Sequence, residues 1–200
     1  MADESDAPTA GPFAPWSYDG TNMTNRMSEI NHRVVCGIGV ENCTKWALED
    51  PRVTANGGLI HTPPQIIEPR STDAMFAHNK AQTATGSYGT VTWKIKPSAR
   101  PDACRSVVVM WCAPFNFDFF RNWLAVGITH PGTTDHQESF FDEMYVYDKG
   151  DGAVRYTRKQ YSDENTAIEI FDEELTVDGS MGMSHRPEIK ISVRQRFKKL

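Results

Sequence analysis

Five aromatic rings crowd into nine residues of this chain: Phe115, Phe117, Phe119, Phe120 and Trp123. They follow a strand-like apolar run, Val107 to Ala113, that is broken by Pro114. Ring faces attract cations, quaternary ammonium groups among them. Rings outside a regular element are also costly to leave in water. Two readings stay open at this point. The rings pack into a core, or they form a surface patch that meets a membrane or a quaternary-ammonium ligand.

Other kinds of chemistry find little to rest on. The histidines are His32, His61, His78, His130, His136 and His185, and none stands in a metal-binding spacing. There is no nucleophile elbow, phosphate-binding loop or dinucleotide fingerprint. Asp142-Glu143 and Asp172-Glu173-Glu174 read as a solvated helix face and a solvated turn, because an acid/base pair is defined by a spatial separation. Cys36, Cys43, Cys104 and Cys112 form no CxxC and have no nearby zinc-like histidine spacing, so they read as free thiols. The expectation is therefore a protein that is not an enzyme and needs neither metal nor cofactor. The sequons Asn22-Met23-Thr24 and Asn42-Cys43-Thr44 would matter only in a secreted protein.

The elements that must position the rings read as all-β. Strands are expected at Val34 to Val40, Thr44 to Leu48, Thr72 to Ala77, Tyr88 to Ile95, Arg105 to Ala113, Trp123 to Thr129, Ala153 to Thr157, Ala167 to Phe171 and Glu188 to Phe197. Asn56-Gly57-Gly58 is a turn signal. Gln137 to Tyr145 carries Phe140, Phe141, Met144 and Tyr145 at helical spacing. A shorter helix is expected within Asn22 to Arg33, where Met23, Met27 and Ile30 recur at i, i+4, i+7. Residues 1–33 form an N-terminal arm, its first part broken by Pro8, Pro12 and Pro15, and residues 34–200 a compact β-sandwich domain.

Two hundred residues with a formal charge of -5 argue against the basic footprint of a nucleic-acid binder. No apolar run approaches the roughly 20 residues of a spanning helix. The first residues, Met1 to Pro12, show no charged-then-apolar signal pattern, which leaves a cytosolic protein or one whose leader is missing.

The run Pro114 to Trp123 resembles the signature of the actinoporins, pore-forming toxins of sea anemones with relatives in other organisms. Further matches follow in order: Ala84-Thr85-Gly86-Ser87-Tyr88-Gly89, Phe141-Asp142-Glu143-Met144-Tyr145, Lys149-Gly150-Asp151 in place of a frequent Arg-Gly-Asp, and Met181-Gly182 before the last strand. The resemblance covers about residues 34–197. It implies a β-sandwich flanked by two short helices, binding to phosphocholine lipids and especially sphingomyelin, and secretion followed by pore formation through a homo-oligomer on a target-cell membrane. The alternative is a non-lytic lipid-binding or lectin-like module of the same fold.

Carried over residue by residue, the resemblance places a headgroup pocket at Asn56, Tyr88, Cys112, Pro114, Phe120, Phe141, Tyr145 and Val146. Phe120 and Phe141 keep the ring but lose the hydroxyl of the family's tyrosines, Cys112 stands for serine, and Val146 for tyrosine. Cation–π attraction is retained while hydrogen bonds to phosphate are fewer. Phe115, Phe117, Phe119 and Trp123 are the expected interfacial rings, with Phe119 the foremost for exposure. Lys149, Gly150 and Asp151 read as a turn or a protomer contact. The N-terminal segment departs from the family: Asn22 to Arg33 is too short to span a bilayer alone. The basic face of the last strand, with Arg194, Arg196, Lys198 and Lys199, reads as solvated.

Overall fold

The computed structural model describes residues 17–18, 21–97, 101–147, 150, 152–162 and 164–196. Most of the N-terminal arm, together with Lys149, Asp151, Phe197, Lys198 and Lys199, lies outside the described residues. A two-residue pair, β1 (Ser17–Tyr18) and β2 (Thr21–Asn22), precedes helix α1 (Met23–Glu29). Asn22 caps that helix, its Oδ1 accepting the Thr24 N–H at 2.8 Å.

Alternating apolar residues then build two sheets packed as a sandwich. The strands are β3 (Val35–Asn42), β4 (Glu49–Gly57), β5 (Leu59–Thr62), β6 (Ser71–His78), β7 (Ser87–Ile95), β8 (Arg105–Ala113), β9 (Asn122–Thr129), β10 (Val154–Tyr161), β11 (Ile168–Phe171), β12 (Leu175–Met181) and β13 (Glu188–Gln195). One sheet has the order β10-β9-β8-β7-β4 and is antiparallel throughout. The other has the order β11-β12-β13-β3-β6-β5, with β13 and β3 parallel. Between them lies the main core, where Ile38, Trp93, Val109, Trp111, Val126 and Ile191 are among the buried residues.

Two strands are buried on both faces, which explains their nearly unbroken apolar runs. Along β8, Val107, Val109 and Trp111 point into the sandwich, while Val108 and Met110 lie beneath helix α2 (Phe140–Val146). Along β3, Cys36, Ile38 and Val40 face the sandwich, and Val35 meets Met23, Met27 and Ile30 of the α1 region together with Ala74 and Phe76. A Cβ at Gly37 would come within 2.6 Å of the Met27 sulfur, so α1 closes onto β3 only because that position is bare.

Four sequence expectations need correction. Within Thr44 to Leu48, Thr44 to Trp46 form a bend, and only Leu48 pairs, in an isolated antiparallel bridge with Ile67. The bend is tied by the Asn42 amide, which donates to the carbonyls of Trp46, Ile67 and Glu68 at 2.7, 3.1 and 3.1 Å. Asn56-Gly57-Gly58 is not a hairpin turn, because β4 pairs with β7 in one sheet and β5 with β6 in the other. The chain changes sheets at Gly58, whose φ of 88° suits glycine. Strand β12 was not expected: Leu175, Val177, Gly179 and Met181 point inward in alternation, and Gly179 supplies no apolar side chain to reveal it. Asp172 is not a solvated turn carboxylate: its side chain is 8% exposed and pairs with the buried Arg105. The helices also shift slightly, α1 being confined to seven residues and α2 starting at Phe140. The four cysteines are free thiols.

Candidate functional site

Helix α2 and the loop after β8 meet at one end of the five-stranded sheet. In the cross-strand register Gly57 faces Tyr88, Tyr88 faces Cys112, and Cys112 faces Trp123. This row lies on the outer face, and α2 lays Phe141 and Tyr145 over it. Ring centroids of Tyr88 and Phe141 are 5.2 Å apart, and those of Phe141 and Tyr145 are stacked at 5.3 Å. Tyr145 meets Trp123 edge to face at 6.0 Å. Such spacings are favourable for aromatic pairs. Phe141 is buried, while Tyr88, Cys112, Trp123 and Tyr145 are half-buried and form the rim.

Two glycines make this packing feasible. A Cβ on Gly57 would lie 2.2 to 2.8 Å from the Tyr88 ring, so the ring rests on bare backbone. A Cβ on Gly150 would lie 2.4 Å from the Tyr156 ring. The Tyr156 hydroxyl in turn shares its single proton between the carbonyls of Glu143 and Tyr147, at 2.8 and 2.6 Å, and pins the end of α2. Arg158 places its guanidinium 4.8 Å from the Trp123 ring centroid and donates to the Tyr145 carbonyl. Trp123 therefore already has an internal cation on its face. Burial pushes the Cys112 thiol up to about 12 and the Tyr145 hydroxyl above its ordinary value. Both stay protonated at neutral pH, and neither supplies a nucleophile.

The loop between β8 and β9 presents its rings in different ways. Phe119 is 78% exposed and Phe120 56%. Phe117 stacks on His185 at 4.0 Å, and Phe115 packs on the main core with the Arg33 guanidinium 4.5 Å from its ring centroid. Trp123 is half-buried against α2. The loop conformation is held locally: the Asp118 N–H donates to Asn116 Oδ1 at 2.8 Å, and Arg121 donates to the Phe117 and Phe120 carbonyls. At the C-terminal end of α2, Val146 and Tyr147 are 59% and 61% exposed.

Of the expected pocket residues, Tyr88, Cys112, Phe141 and Tyr145 come together. Val146 stands on the outer side of the same helix, Phe120 projects from the loop, and Pro114 is buried at the end of β8. Asn56 is exposed at a break in the β4–β7 register, one position from Gly57. Of Lys149, Gly150 and Asp151 only the half-buried Gly150 is described. Arg158 and His185 were missed, because a single cation on an edge strand and a single histidine in a loop carry no spacing signal.

A groove of about 720 Å³ lies at the opposite end of the sheet, lined by Asp102, Arg105, His130, Arg155, Phe171 and Arg196 among others. Two of its arginines are engaged within the protein: Arg105 pairs with Asp172 and Glu174, and Arg196 lies over Phe171 at 4.1 Å. It shares no residue with the aromatic cluster. Among the described residues no helix is long and apolar enough to cross a membrane.

The chain is 35% identical to tereporin-Ca1 of Terebra anilis over 183 residues, 89% of this chain and 93% of that protein. It is 35% identical to echotoxin-2 of Monoplex parthenopeus, over 82% of this chain and 58% of that protein. No protein-family model matches the chain. Among solved structures, the lipid-binding protein Nakanori superposes with a TM-score of 0.64 over 87% of this chain and 77% of its own, at 14% identity. That likeness is one of fold.

Proposed function

The chain belongs to the actinoporin-like family of pore-forming proteins, and from that premise we propose that it binds phosphocholine-bearing membranes, with sphingomyelin the preferred lipid, and perforates them. It acts from outside the target cell, as a homo-oligomer that inserts N-terminal segments. The relatives named above are, by name, a porin and a toxin, and neither is an enzyme.

The observation that carries this reading is the pairing of two outward phenylalanines with an aromatic cluster at one end of the sandwich. Phe119 and Phe120 are exposed in a loop whose backbone is fixed by its own polar residues. Rings held this way enter the interfacial layer without an ordering cost at the moment of binding. Behind them, the half-buried rings of Tyr88 and Tyr145, backed by the buried Phe141, offer aromatic surface to a trimethylammonium group. The family's headgroup pocket relies on more hydroxyls than this chain retains, so headgroup selection leans on ring faces. Helix α1 packs on the outer side of the six-stranded sheet, and its departure leaves the sandwich core covered.

One observation favours a non-lytic lipid-binding module as the second reading. The seven residues of α1 span only about 10 Å, a third of a bilayer core. Insertion therefore needs the preceding arm to take part.

Dye release from phosphatidylcholine vesicles, with and without sphingomyelin, separates the two. Release that depends on sphingomyelin supports the perforating reading. Sedimentation with the vesicles but no release leaves the lipid-binding module. Failure to bind either membrane overturns both.

A further inference from the structure

Three histidines that no metal or catalytic pattern absorbs converge where α1 hands the chain to β3. His32 follows α1, His61 lies on β5, and His78 ends β6. The His32 and His78 rings stack with centroids 3.8 Å apart and planes 27° from parallel, and His61 meets His78 edge-on at 5.9 Å. His78 is 8% exposed and its Nδ1 lies 2.8 Å from the Asn79 carbonyl, to which it donates. No group of three or more potential ligands among the described residues is arranged to hold a metal ion. The trio is a stack and not a coordination shell.

We propose that His32, His61 and His78 form an acid-sensitive latch, which holds α1 on the six-stranded sheet at neutral pH and releases it in mildly acidic solution. The neutral rings stack in contact; protonated, they bring like charges within a few ångströms of one another. The fourth neighbour is also a cation. Arg186, in the β12–β13 loop, donates to the carbonyls of Met27, Ile30 and His32 and so binds the end of α1 directly.

Among the described residues, the charged groups around this junction are engaged elsewhere than on the rings. On α1, Arg26 and Glu29 pair with each other at 3.5 Å. From β13, Glu188 accepts the Thr24 hydroxyl at the other end of the helix and lies 4.0 Å from Lys190. Arg33 stands over Phe115, and the His185 carbonyl accepts the Val35 N–H.

The sign of the effect follows from His32. Burial first, then His78, His61 and Arg186, lower its pKa below the ordinary value of 6.5. A docked group with a depressed pKa stabilises docking above its free pKa, and that contribution is lost as pH falls toward the docked value. Acid therefore acts on α1 while the apolar sandwich core, which contains no histidine, stays closed.

The latch is tested without lipid, by amide hydrogen exchange of α1 at about pH 7.5 and about pH 5.5, corrected for intrinsic rates. The expected result is an about tenfold loss of α1 protection in acid, with β7, β8 and β9 unchanged. His32→Gln should abolish that acid response. His61→Gln, at an exposed position that tolerates change, should reduce it. Protection that is the same at both pH values overturns the latch, as does an acid response that survives in His32→Gln. The link to perforation rests on the N-terminal insertion reading and is read separately, by dye release at the same two pH values. Acid-labile α1 without acid-enhanced release upholds the latch and counts against insertion of the helix.

Discussion

Replacing Phe119 and Phe120 together by alanine tests whether the loop is the membrane-facing element. Fully burying a phenylalanine contributes about 1.5–3 kcal/mol. Scaled by exposures of 78% and 56%, the two rings together offer about 3 kcal/mol to an apolar phase. Rings at headgroup depth keep part of their area near water, so about half of this is realised, or about tenfold in partition coefficient. The full value is about two hundredfold. The variant should thus bind sphingomyelin-containing vesicles ten to two hundred times more weakly, by these about order-of-magnitude figures, in a sedimentation titration. Its urea midpoint should stay where it was, because exposed rings contribute little to the folded state. Trp123→Ala serves as the contrast. That ring supports Tyr145 and Arg158, so its loss should lower the urea midpoint before binding is considered. Binding by the double variant within about twofold of the parent, at unchanged stability, would refute the assignment of the loop.

Two further outcomes follow from the packing. Arg105→Leu strands the buried Asp172 carboxylate and should cost about 3–5 kcal/mol, measured by urea unfolding at neutral pH; a loss under about 1 kcal/mol would show that Asp172 finds water. Gly57→Ala drives a methyl into the Tyr88 ring and should cost about 1–3 kcal/mol. It should also weaken vesicle binding by displacing Tyr88 from Phe141, an effect that a purely structural role for Gly57 would not produce at matched folded fraction.

The architecture was legible wherever a residue pattern has one structural meaning. The apolar run of β8 announced a strand covered on both faces, and the ring spacing in α2 announced its buried side. Phe119 stood out through the resemblance, which places an interfacial ring at its position, and the structure has it 78% exposed. Where the structure departed from expectation, long-range partners had decided. Thr44 to Leu48 looks extended, but the Asn42 amide bends it by taking carbonyls from residues more than twenty positions on. Gly58 carries the φ of a turn and uses it to cross between sheets, a choice fixed by β6 and β7. Strand β12 alternates regularly but lacks one inward side chain; Gly179 is bare because the side chains of Ile191, Val126 and Leu124 fill the space of its missing Cβ. In the site, the ring cluster followed from the resemblance. The stacking of Phe117 on His185 and the cover of Arg158 on Trp123 could not, since each joins residues distant in sequence.

The parallel pairing of β3 with β13 carries a consequence for how the molecule is made. Ile38 sits opposite Ile189, about 150 residues later, so this edge of β3 waits for nearly the whole chain. Part of what secures α1 is just as late, although its apolar face packs on Val35, Ala74 and Phe76, which are made early. Arg186 and Glu188, which hold the two ends of the helix, both flank or begin β13. Synthesis proceeds from the N-terminus, and domains fold as their parts emerge. The helix can therefore rest on β3 and β6 early, but its polar ties to Arg186 and Glu188 wait until the β13 segment leaves the ribosome. The polar fastening of the N-terminal segment is thus a late step of assembly, and a product cut short before that point would hold the segment by its apolar face and histidine contacts alone.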